Sequence, residues 1–300
     1  MIYEILHKLL LEYLFLPFNH LLNTVTELYV HYRNTIVSWL LQYRLIGWIL
    51  TRFRSLFISV IKVGYVPQHI SFIMDGNRRY AKSFDLPVKK GHEAGGLNLL
   101  SLVYSCKQMG VKCVSAYAFS IENFNRSPEE VNTLTTLFAE KLDDFAARAV
   151  DYTDPLYGTR LKIVGDFSYL SSDMVERIRR VEALTQNGDD FILYICYPYT
   201  SRNDIYHSIF NTVDKKINNI NTKQSTDNST IHIKDFSNSM YFDSFSDKCD
   251  LLVRTSGHNR LSDYMLWQTH ESSTIEFTDS LWPDFSFFSL YWMIIRWSFF

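Results

Sequence analysis

After residue 67 the sequence alternates between short apolar runs and longer segments with helical periodicity, and this alternation limits the fold more than any other feature. Six runs rich in β-branched and aromatic residues predict strands, at 69–74, 113–119, 161–164, 191–197, 251–254 and 274–277. Helical patterns lie between them, near 93–109, 128–150, 171–186, 202–218 and 262–270. Strands that alternate with helices favour a mostly parallel sheet covered on both faces. We therefore predict a single α/β domain over residues 64–300, with a central six-stranded sheet flanked by helices.

Two features of this domain carry no predicted chemistry. Residues 214–235 are rich in Asn, Thr and Lys, which is typical of a polar surface loop. The four cysteines show no metal-ligand spacing, and three of them lie in or beside predicted strands: Cys106, Cys113, Cys196 and Cys249. We expect them to be buried, reduced thiols in a protein that faces the cytosol.

Charge and composition narrow the ligand class. The formal net charge of -2 and the pI of about 6.5 argue against a general nucleic-acid binder. The aromatic content is 16%, with 22 Phe and 19 Tyr, which is high for a soluble enzyme. This surplus predicts a large apolar cavity, a membrane-facing surface, or both.

Residues 1–63 differ from the rest of the chain. They are rich in Leu, Ile, Trp and Tyr, but charged residues interrupt every window of the ~18–20 apolar residues that a spanning helix needs. No pattern of a removable signal peptide is present. We predict helices that lie at a membrane surface, with aromatic residues such as Trp39, Tyr43 and Trp48 at the interface. A spanning helix around 34–51, or a helix packed on the catalytic domain or on a partner, is the alternative.

Polar side chains gather where the predicted strands end. Ligands of open α/β sheets bind outside the carboxyl ends of the strands. The first strand leads into Asp75, Gly76, Asn77, Arg78 and Arg79. The later strands lead into further polar residues: Ser120, Glu122, Asn123, Arg126, Asp166, Arg202, Arg254, Arg260 and Ser262.

Several arginines on one rim need an anion with many oxygens, and guanidinium groups bind phosphates in a bidentate manner. A carboxylate among them suggests Mg²⁺ between Asp75 and phosphate oxygens. Because neither a P-loop nor a dinucleotide fingerprint is present, the aromatic and aliphatic surplus makes a phosphorylated lipid the first candidate. Simpler roles remain open at this point: a helix cap for Asp75 or His92, a surface ion pair for Arg254, and turn bonds for Ser120 or Asn123.

Five sequence blocks resemble the cis-prenyltransferases, the family of undecaprenyl and dehydrodolichyl diphosphate synthases. In order they are HISFIMDGNRRYAK, GHEAGG, YAFSIENFNRSPEEV, LLVRTSGHNRLSDYMLWQ and IEFTDSLWPDF. The resemblance covers residues 67 to about 297 and looks most like the eukaryotic, fungal dolichol branch. It implies a synthase that extends farnesyl diphosphate with isopentenyl diphosphate, by cis condensations, inside an apolar tunnel. Leu134, Leu137 and Phe138 would belong to the tunnel wall.

The same resemblance implies roles for individual residues. Asp75 would hold Mg²⁺, and Asn77, Ser120 and Asn123 would lie near the reacting carbons, with Asn77 assisting proton removal. The allylic diphosphate would be surrounded by Gly76, Asn77, Arg78, Arg79, His92 and Arg126. The diphosphate of isopentenyl diphosphate would be bound by Arg254, Arg260 and Ser262.

Three departures from the family pattern shape the remaining expectations. Val88 stands where many members have an arginine, with Lys89 and Lys90 as possible substitutes. A metal-related acid of bacterial members is missing near Ser273. The chain also ends at Phe300 without a C-terminal RxG element, so we expect an inactive sister subunit related to the Nogo-B receptor to supply it. The expected location is the cytosolic face of the endoplasmic reticulum membrane, or the lipid droplet.

Two other functions remain to be weighed against this one. A non-catalytic scaffold or receptor subunit of the same fold would have lost Asp75 and the arginines that this chain retains. A phosphohydrolase with Asp75 as nucleophile usually has a second acid two residues further on, where this chain has Asn77.

Overall fold

The structure is a computed structural model that describes residues 44–221, 230–242 and 248–299. The chain divides into two units, Met1–Ile58 and Ser59–Phe300. The described part of the first unit belongs to helix α1, Arg44–Ile61. The predicted membrane-surface helices fall mainly on residues 1–43, outside the described residues. Within the described ranges, every helix is too short or too polar to cross a bilayer.

A six-stranded sheet forms the centre of the second unit. Its strands are β1 His69–Ile73, β2 Cys113–Tyr117, β3 Thr159–Val164, β4 Phe191–Cys196, β5 Leu251–Arg254 and β6 Thr274–Phe277, in the order β3-β4-β2-β1-β5-β6. All neighbouring pairs are parallel. The predicted α/β fold and all six predicted strands are confirmed.

The remaining helices of this unit lie between successive strands, except the last, which follows β6. They are α2 Asn77–Ser83, α3 Val88–Met109, α4 Pro128–Val150, α5 Ser172–Thr185, α6 Ser201–Asn221, α7 Ile233–Ser237, α8 Leu266–Thr269 and α9 Phe287–Trp297. Helix α4 begins where the sequence predicts it, because the Ser127 side chain caps the backbone N–H of Glu130 and Pro128 occupies the first turn. Short 3-10 turns lie at Ile121–Asn125, Phe167–Tyr169 and Trp282–Asp284.

The register of the sheet brings the carboxyl ends of four strands to one level. Ile73 at the end of β1 pairs with Tyr117 of β2 and with Arg254 of β5. Tyr117 in turn pairs with Cys196 at the end of β4. Residues that follow these strands in the sequence therefore emerge side by side at one edge. All five residues of β1 are buried, as expected for a central parallel strand.

The predicted helix at 262–270 is mostly wrong. Only Leu266–Thr269 is helical, because Ser262, Asp263 and Met265 adopt positive φ angles of 52°, 57° and 51°. Such left-handed residues cannot continue a right-handed helix. This irregular segment matters because Ser262 is one of the predicted site residues.

The predicted polar loop at 214–235 is also partly wrong. Residues 214–221 continue helix α6, and residues 233–235 begin α7. A side-chain hydrogen bond joins these two helices, because the Thr212 hydroxyl of α6 donates to the backbone carbonyl of Asp235 in α7 at 3.2 Å. Residues 222–229 lie outside the described residues. The predicted burial of the cysteines as free thiols is confirmed for all four.

Candidate active site

A cavity of about 900 Å³ opens at the carboxyl edge of the sheet. All twelve predicted site residues lie in its wall: Asp75, Gly76, Asn77, Arg78, Arg79, His92, Ser120, Asn123, Arg126, Arg254, Arg260 and Ser262. They come from segments as far apart in sequence as Asp75 and Ser262. The parallel sheet brings them together because its strand ends lie at one edge.

The chain turns sharply after β1 and aims Asp75 at the cavity. Gly76 has a φ of 114°, and a Cβ there would approach Leu281 to 3.0 Å, so only glycine fits without strain. The carbonyl of Asp75 accepts hydrogen bonds from the Thr255 hydroxyl at 2.7 Å and the Trp282 backbone at 3.0 Å. Helix α2 starts at Asn77. Gly76 is its N-cap residue, and no side chain forms a capping hydrogen bond. Asp75 is therefore not a helix cap, and its carboxylate remains available to the cavity.

Arg254 is buried at the end of β5 and organises this side of the site. One of its terminal nitrogens donates to Asp75 Oδ2 at 2.9 Å. The other donates to the Ser262 hydroxyl at 2.7 Å and to the carbonyl of Arg260 at 2.5 Å. Its side chain is only 3% exposed, so the simpler role of a surface ion pair does not fit. Arg254 ties Asp75 to the irregular segment that carries Arg260 and Ser262.

The carboxyl of Asp75 is held in its charged form. Burial by itself raises its pKa, but hydrogen bonds from Arg254 and Ser256 and the charges of Arg254 and His258 more than offset this effect. The net result is a pKa below the usual aspartate range. Asp75 is thus a carboxylate at neutral pH, as a metal ligand must be.

The remaining arginines of the rim are held by few partners. Arg79 donates to the carbonyl of Ser256 at 2.7 Å. Arg126 pairs with Glu130 at 2.8 Å, and Arg78 approaches the same carboxylate at 3.7 Å. In all, seven Lys or Arg side chains line the cavity, against the two carboxylates of Asp75 and Glu122. This excess of positive charge favours a polyanionic ligand.

Three polar atoms in the cavity wall are buried without a hydrogen-bond partner: Asn77 Oδ1, His92 Nε2 and Arg254 Nε. Burial, and next the positive charge of Arg126, lower the pKa of His92 to about 4, so its ring is neutral at pH 7. A neutral imidazole can donate one hydrogen bond to an anion. His92 also lies in the second turn of α3, so it does not cap that helix. Unpaired buried groups of this kind are common where a ligand completes the bonding.

Ser120 and Asn123 have both of the roles that the sequence left open, since they form local turn bonds and also line the cavity. The Ser120 hydroxyl accepts from the Glu122 backbone at 3.2 Å, and Asn123 Oδ1 accepts from the Ser120 backbone at 3.0 Å. These local bonds shape the 3-10 turn after β2. Both residues nevertheless line the cavity.

The deeper part of the cavity is apolar. Its wall contains side chains from helices α3 and α4 and from strands β3 and β4: Leu99, Leu100, Leu134, Leu137, Phe138, Leu142, Phe145, Leu161, Leu193 and Ile195. The Phe138 ring stacks on Tyr197 with centroids 3.9 Å apart. The predicted tunnel positions Leu134, Leu137 and Phe138 are all in this wall.

Several lining residues were not predicted from the sequence: Lys82, Lys141, His258 and Trp282. They lie on helix faces or in loops, so no strand end marks them. The glycines of the GHEAGG block have a packing role that only the structure shows. A Cβ on Gly91 or Gly95 would lie 2.2 Å from oxygen atoms of Asn77, so these glycines let α2 approach α3.

The departures from the family pattern can also be located. Lys89 and Lys90 are exposed at the start of α3 and are not among the lining residues, and Lys90 pairs with Glu93 at 2.7 Å. They therefore do not replace an arginine at Val88 in this conformation. Ser273 precedes β6, at the sheet edge opposite the cavity, where it donates to the carbonyl of Cys249. Asp166 caps a short turn by accepting from the Ser168 backbone at 3.0 Å.

The donor set fits a magnesium ion that the ligand helps to hold. Within the described ranges no cluster of three or more His, Cys, Asp or Glu side chains is placed to form a complete metal cage. Magnesium is commonly bound by one or two carboxylates together with substrate phosphates and water. The ionised Asp75 carboxylate, beside a rim that favours phosphates, matches that mode of binding.

This combination defines a class of protein. It is an α/β protein whose cavity has a cationic rim at the sheet edge and an apolar wall beneath it. The prenyltransferase family described as undecaprenyl diphosphate synthase matches residues 73–299. The chain belongs to this family, as the resemblance of its five sequence blocks implied.

The most informative relatives share one activity in their names. The chain is 58% identical to the dehydrodolichyl diphosphate synthase complex subunit SRT1 of Saccharomyces cerevisiae, over 88% of this chain and 75% of that protein. It is 39% identical to a complex subunit of the same description from Schizosaccharomyces pombe, over 86% and 95%. The human complex subunit DHDDS is 35% identical, over 87% and 74%.

Solved structures agree on the architecture. The crystal structure of lavandulyl diphosphate synthase from Lavandula x intermedia, in complex with dimethylallyl diphosphate, superposes with a TM-score of 0.68 at 27% identity. It covers 78% of this chain and 95% of that one. A probable undecaprenyl diphosphate synthase from Campylobacter jejuni gives a TM-score of 0.62 at 22% identity, over 78% and 95%, which supports the fold alone.

Proposed function

We propose that this chain is the catalytic subunit of a dehydrodolichyl diphosphate synthase. It extends farnesyl diphosphate by successive cis condensations with isopentenyl diphosphate, and the polyprenyl diphosphate formed is the precursor of dolichol. The observation that carries the proposal is that one and the same cavity has both a cationic rim and an apolar wall. A diphosphate bound at the rim directs its prenyl chain into the apolar part.

The geometry suggests two neighbouring diphosphate subsites. Arg78 and Arg79 lie on α2, His92 on α3 and Arg126 just before α4, and we assign this group to the allylic primer. Arg254, Arg260 and Ser262 are linked by hydrogen bonds on the β5 side and suit isopentenyl diphosphate. Asp75 lies between the two groups, within hydrogen-bond distance of Arg254.

The condensation needs charge stabilisation above all. The C–O bond of the primer breaks, and the diphosphate leaves with the bonding electrons. The double bond of isopentenyl diphosphate then forms the new C–C bond, and loss of a proton from the adjacent carbon gives the cis double bond. Preorganised arginines stabilise the departing charge without having to reorient, which is usually the largest contribution of a protein to such a step.

Asn77 and the diphosphate are the groups we assign to proton removal. Asn77 Oδ1 is buried without a partner and is fixed against Gly95 of α3. Asn77 also donates from Nδ2 to the carbonyl of Met74 at 3.2 Å, which orients the amide. An oriented amide oxygen can accept a proton in transit, and the diphosphate is the stronger base that keeps it. Magnesium, when bound by Asp75 and the substrate, would supply further neutralisation of the diphosphate charge.

A second subunit completes the proposed enzyme. The relatives at 58%, 39% and 35% identity are each named as a complex subunit. We propose that this chain also acts in a heteromer, with an inactive sister subunit related to the Nogo-B receptor that supplies an RxG element. Residues 1–63 would hold the complex at the cytosolic face of the endoplasmic reticulum membrane or on lipid droplets, where the apolar product can leave.

The experiment that tests this function uses both subunits. The chain is co-expressed with the sister subunit, and incorporation of radiolabelled isopentenyl diphosphate into farnesyl-primed products is measured with Mg²⁺. Long polyprenyl products support the proposal, whereas no incorporation by the complex would reject it. Release of phosphate from the primer without elongation would favour the phosphohydrolase instead. Robust elongation by this chain alone would reject the need for a partner.

A further inference from the structure

The segment that carries Arg260 and Ser262 has an unusual backbone conformation. Ser262, Asp263 and Met265 have φ angles of 52°, 57° and 51°. Left-handed backbone is unfavourable for residues with a Cβ, and of these three only Asp263 is of a type that adopts it readily. Such conformations persist where the surrounding structure holds them in place. The position of Ser262 in the cavity wall therefore depends on the contacts of this segment.

Asp263 is fixed by the first turn of α6, whose residues Ser201 and Arg202 do not line the cavity. The Asp263 carboxylate accepts from the backbone N–H of Arg202 at 3.1 Å and from Nε of the same residue at 2.8 Å. The Asp263 carbonyl accepts from the backbone N–H of Ser201 at 2.7 Å. The Ser201 hydroxyl in turn accepts from the backbone N–H of Leu266 at 2.8 Å. Together these hydrogen bonds dock the left-handed segment on the start of α6.

The bond to the backbone of α6 should contribute more than the ion pair with Arg202. The Asp263 side chain is 13% exposed, but the Arg202 side chain is 74% exposed, so solvent screens the pairing of the two charges. Arg202 also divides its guanidinium between Asp263 and Glu122, which lies 3.0 Å away. The N–H groups of the first helical turn have no partner within the helix, and a carboxylate there also meets the positive end of the helix dipole. Asp263 is therefore the main support of the segment, and Arg202 assists it.

The opposite end of the same segment faces the ligand. Arg254 donates to the Ser262 hydroxyl at 2.7 Å and to the carbonyl of Arg260 at 2.5 Å. Arg260 and Ser262 line the cavity, whereas Asp263 does not. Asp263 thus acts on a ligand through the positions of its neighbours. A displacement of about 1 Å is enough to weaken a hydrogen bond to a fixed anion strongly.

We propose that Asp263 is a positioning residue for isopentenyl diphosphate: by bonding to the start of α6, it holds Ser262 and Arg260 where they bind the diphosphate. The inference rests on the proposed function, since it concerns the second substrate of that reaction. The diphosphate of isopentenyl diphosphate stays attached throughout the condensation, so contacts to it stabilise the bound substrate and the transition state alike. Loss of Asp263 should therefore raise the KM for isopentenyl diphosphate and leave kcat nearly unchanged.

The test is steady-state kinetics of the complex with the sister subunit, in which radiolabelled isopentenyl diphosphate and farnesyl diphosphate are varied in turn. Asp263→Ala should raise the KM for isopentenyl diphosphate by about 10-fold or more, as expected for the loss of one charge-assisted hydrogen bond to the diphosphate. The KM for farnesyl diphosphate and kcat should change by less than about 2-fold.

Asp154→Ala is the matched control for a purely structural effect. The Asp154 side chain is 19% exposed, accepts from the Leu156 backbone at 2.8 Å and lies 3.9 Å from Arg148, outside the cavity wall. Its loss removes the same kinds of contact as the loss of Asp263. It should lower Tm to a similar extent and leave both KM values unchanged.

Three further variants separate the side-chain bonds from the backbone conformation. Asp263→Asn keeps an acceptor oxygen and a residue type that tolerates left-handed φ, so it should recover most of the affinity. Asp263→Gly keeps only the conformational freedom, so its KM should stay raised, and it carries the test if Asp263→Ala does not fold. Arg202→Ala combined with Asp263→Ala should be no worse than Asp263→Ala alone, because Arg202 acts through Asp263.

The outcomes distinguish this inference from the function on which it rests. In a complex that elongates farnesyl diphosphate, an unchanged KM for isopentenyl diphosphate in Asp263→Ala overturns the positioning role and leaves the function standing. The same conclusion follows if both KM values and kcat change together, or if Asp263→Gly behaves as the wild type. Additive effects in the double variant overturn the action of Arg202 through Asp263. A wild-type complex that incorporates no isopentenyl diphosphate rejects the proposed function and the inference with it.

Discussion

Replacement of Asp75 by Asn should remove activity while leaving the fold nearly intact. The substitution keeps the size of the side chain and one oxygen that can accept from Arg254. It removes the negative charge that offsets Arg254 and that we assign to Mg²⁺ binding. Arg254 keeps its other two acceptors, the Ser262 hydroxyl and the carbonyl of Arg260.

The stability cost follows from one hydrogen bond. A bond between two charged groups contributes about 1.5–3 kcal/mol, and a bond with one neutral partner contributes less. The Asp75 side chain is 35% exposed, so solvent screens part of the difference. We expect a loss of about 1 kcal/mol in unfolding free energy, which corresponds to about 2–4 °C in Tm for a domain of this size. Activity should fall by at least about 100-fold, as when one preorganised electrostatic contact is removed.

The assay is radiolabelled isopentenyl diphosphate incorporation by the co-expressed complex, beside a thermal melt of the same preparation. Asp143→Asn is the control, because Asp143 is 47% exposed and pairs with Arg177 at 2.6 Å, outside the cavity wall. It should retain full activity. Retention of more than about a tenth of wild-type turnover by Asp75→Asn would refute the role of Asp75. A drop in Tm well beyond the expected range would refute the local stability argument.

Three further predictions follow from the site and its surroundings. Binding of farnesyl diphosphate between pH 4 and pH 6.5 should take up a proton, because the pKa of His92 is about 4 in the free protein and an adjacent diphosphate raises it; calorimetry in buffers of different ionisation enthalpy measures the uptake, and His92→Phe should remove it. Burial raises the pKa of Asp204 from 3.8 to about 6, so the folded state binds this proton more tightly than the unfolded state does. The protonated carboxyl therefore stabilises the fold by up to about 3 kcal/mol at low pH, and this stabilisation should be lost as the pH rises from about 4 to about 6. Urea unfolding of the wild type and of Asp204→Asn at several pH values isolates this effect. Burial lowers the pKa of His69 to about 4, and the opposing contribution of His69 is present in both proteins. The same dependence of the unfolding free energy on pH in both proteins would contradict the prediction. Leu134→Trp narrows the apolar cavity and should shorten the products on reversed-phase chromatography, whereas Leu184→Trp on the surface should not.

Much of the site was predictable because a parallel sheet collects the residues that follow its strands. Asp75 after β1, Ser120 after β2 and Arg254 at the end of β5 could be selected from the sequence for this reason alone. The role of His92 came instead from the family resemblance. Its position on helix α3 is not marked by a strand end.

Contacts between distant segments were beyond the reach of local patterns. The pairing of Arg254 with Asp75 joins residues 179 positions apart, and no periodicity encodes it. The left-handed residues Ser262 and Asp263 interrupt a segment whose apolar spacing resembles a helix. Lys82 and Lys141 reach the cavity from helix faces whose orientation depends on packing.

Helix α6 shows most directly where the sequence stops and the tertiary structure begins. The sequence by itself determined that residues near 202–218 form a helix with an apolar face, since helical periodicity is a local property. Only the tertiary structure decided that this face points outward. The reason is that Asp204, Ser208 and Thr212 find hydrogen-bond partners in Tyr199, Tyr241 and α7, and these bonds satisfy a polar inner face. Likewise, the strand ends and the family could be recognised from the sequence. The cavity, with its cationic rim and apolar wall, forms only when the helices pack on the sheet.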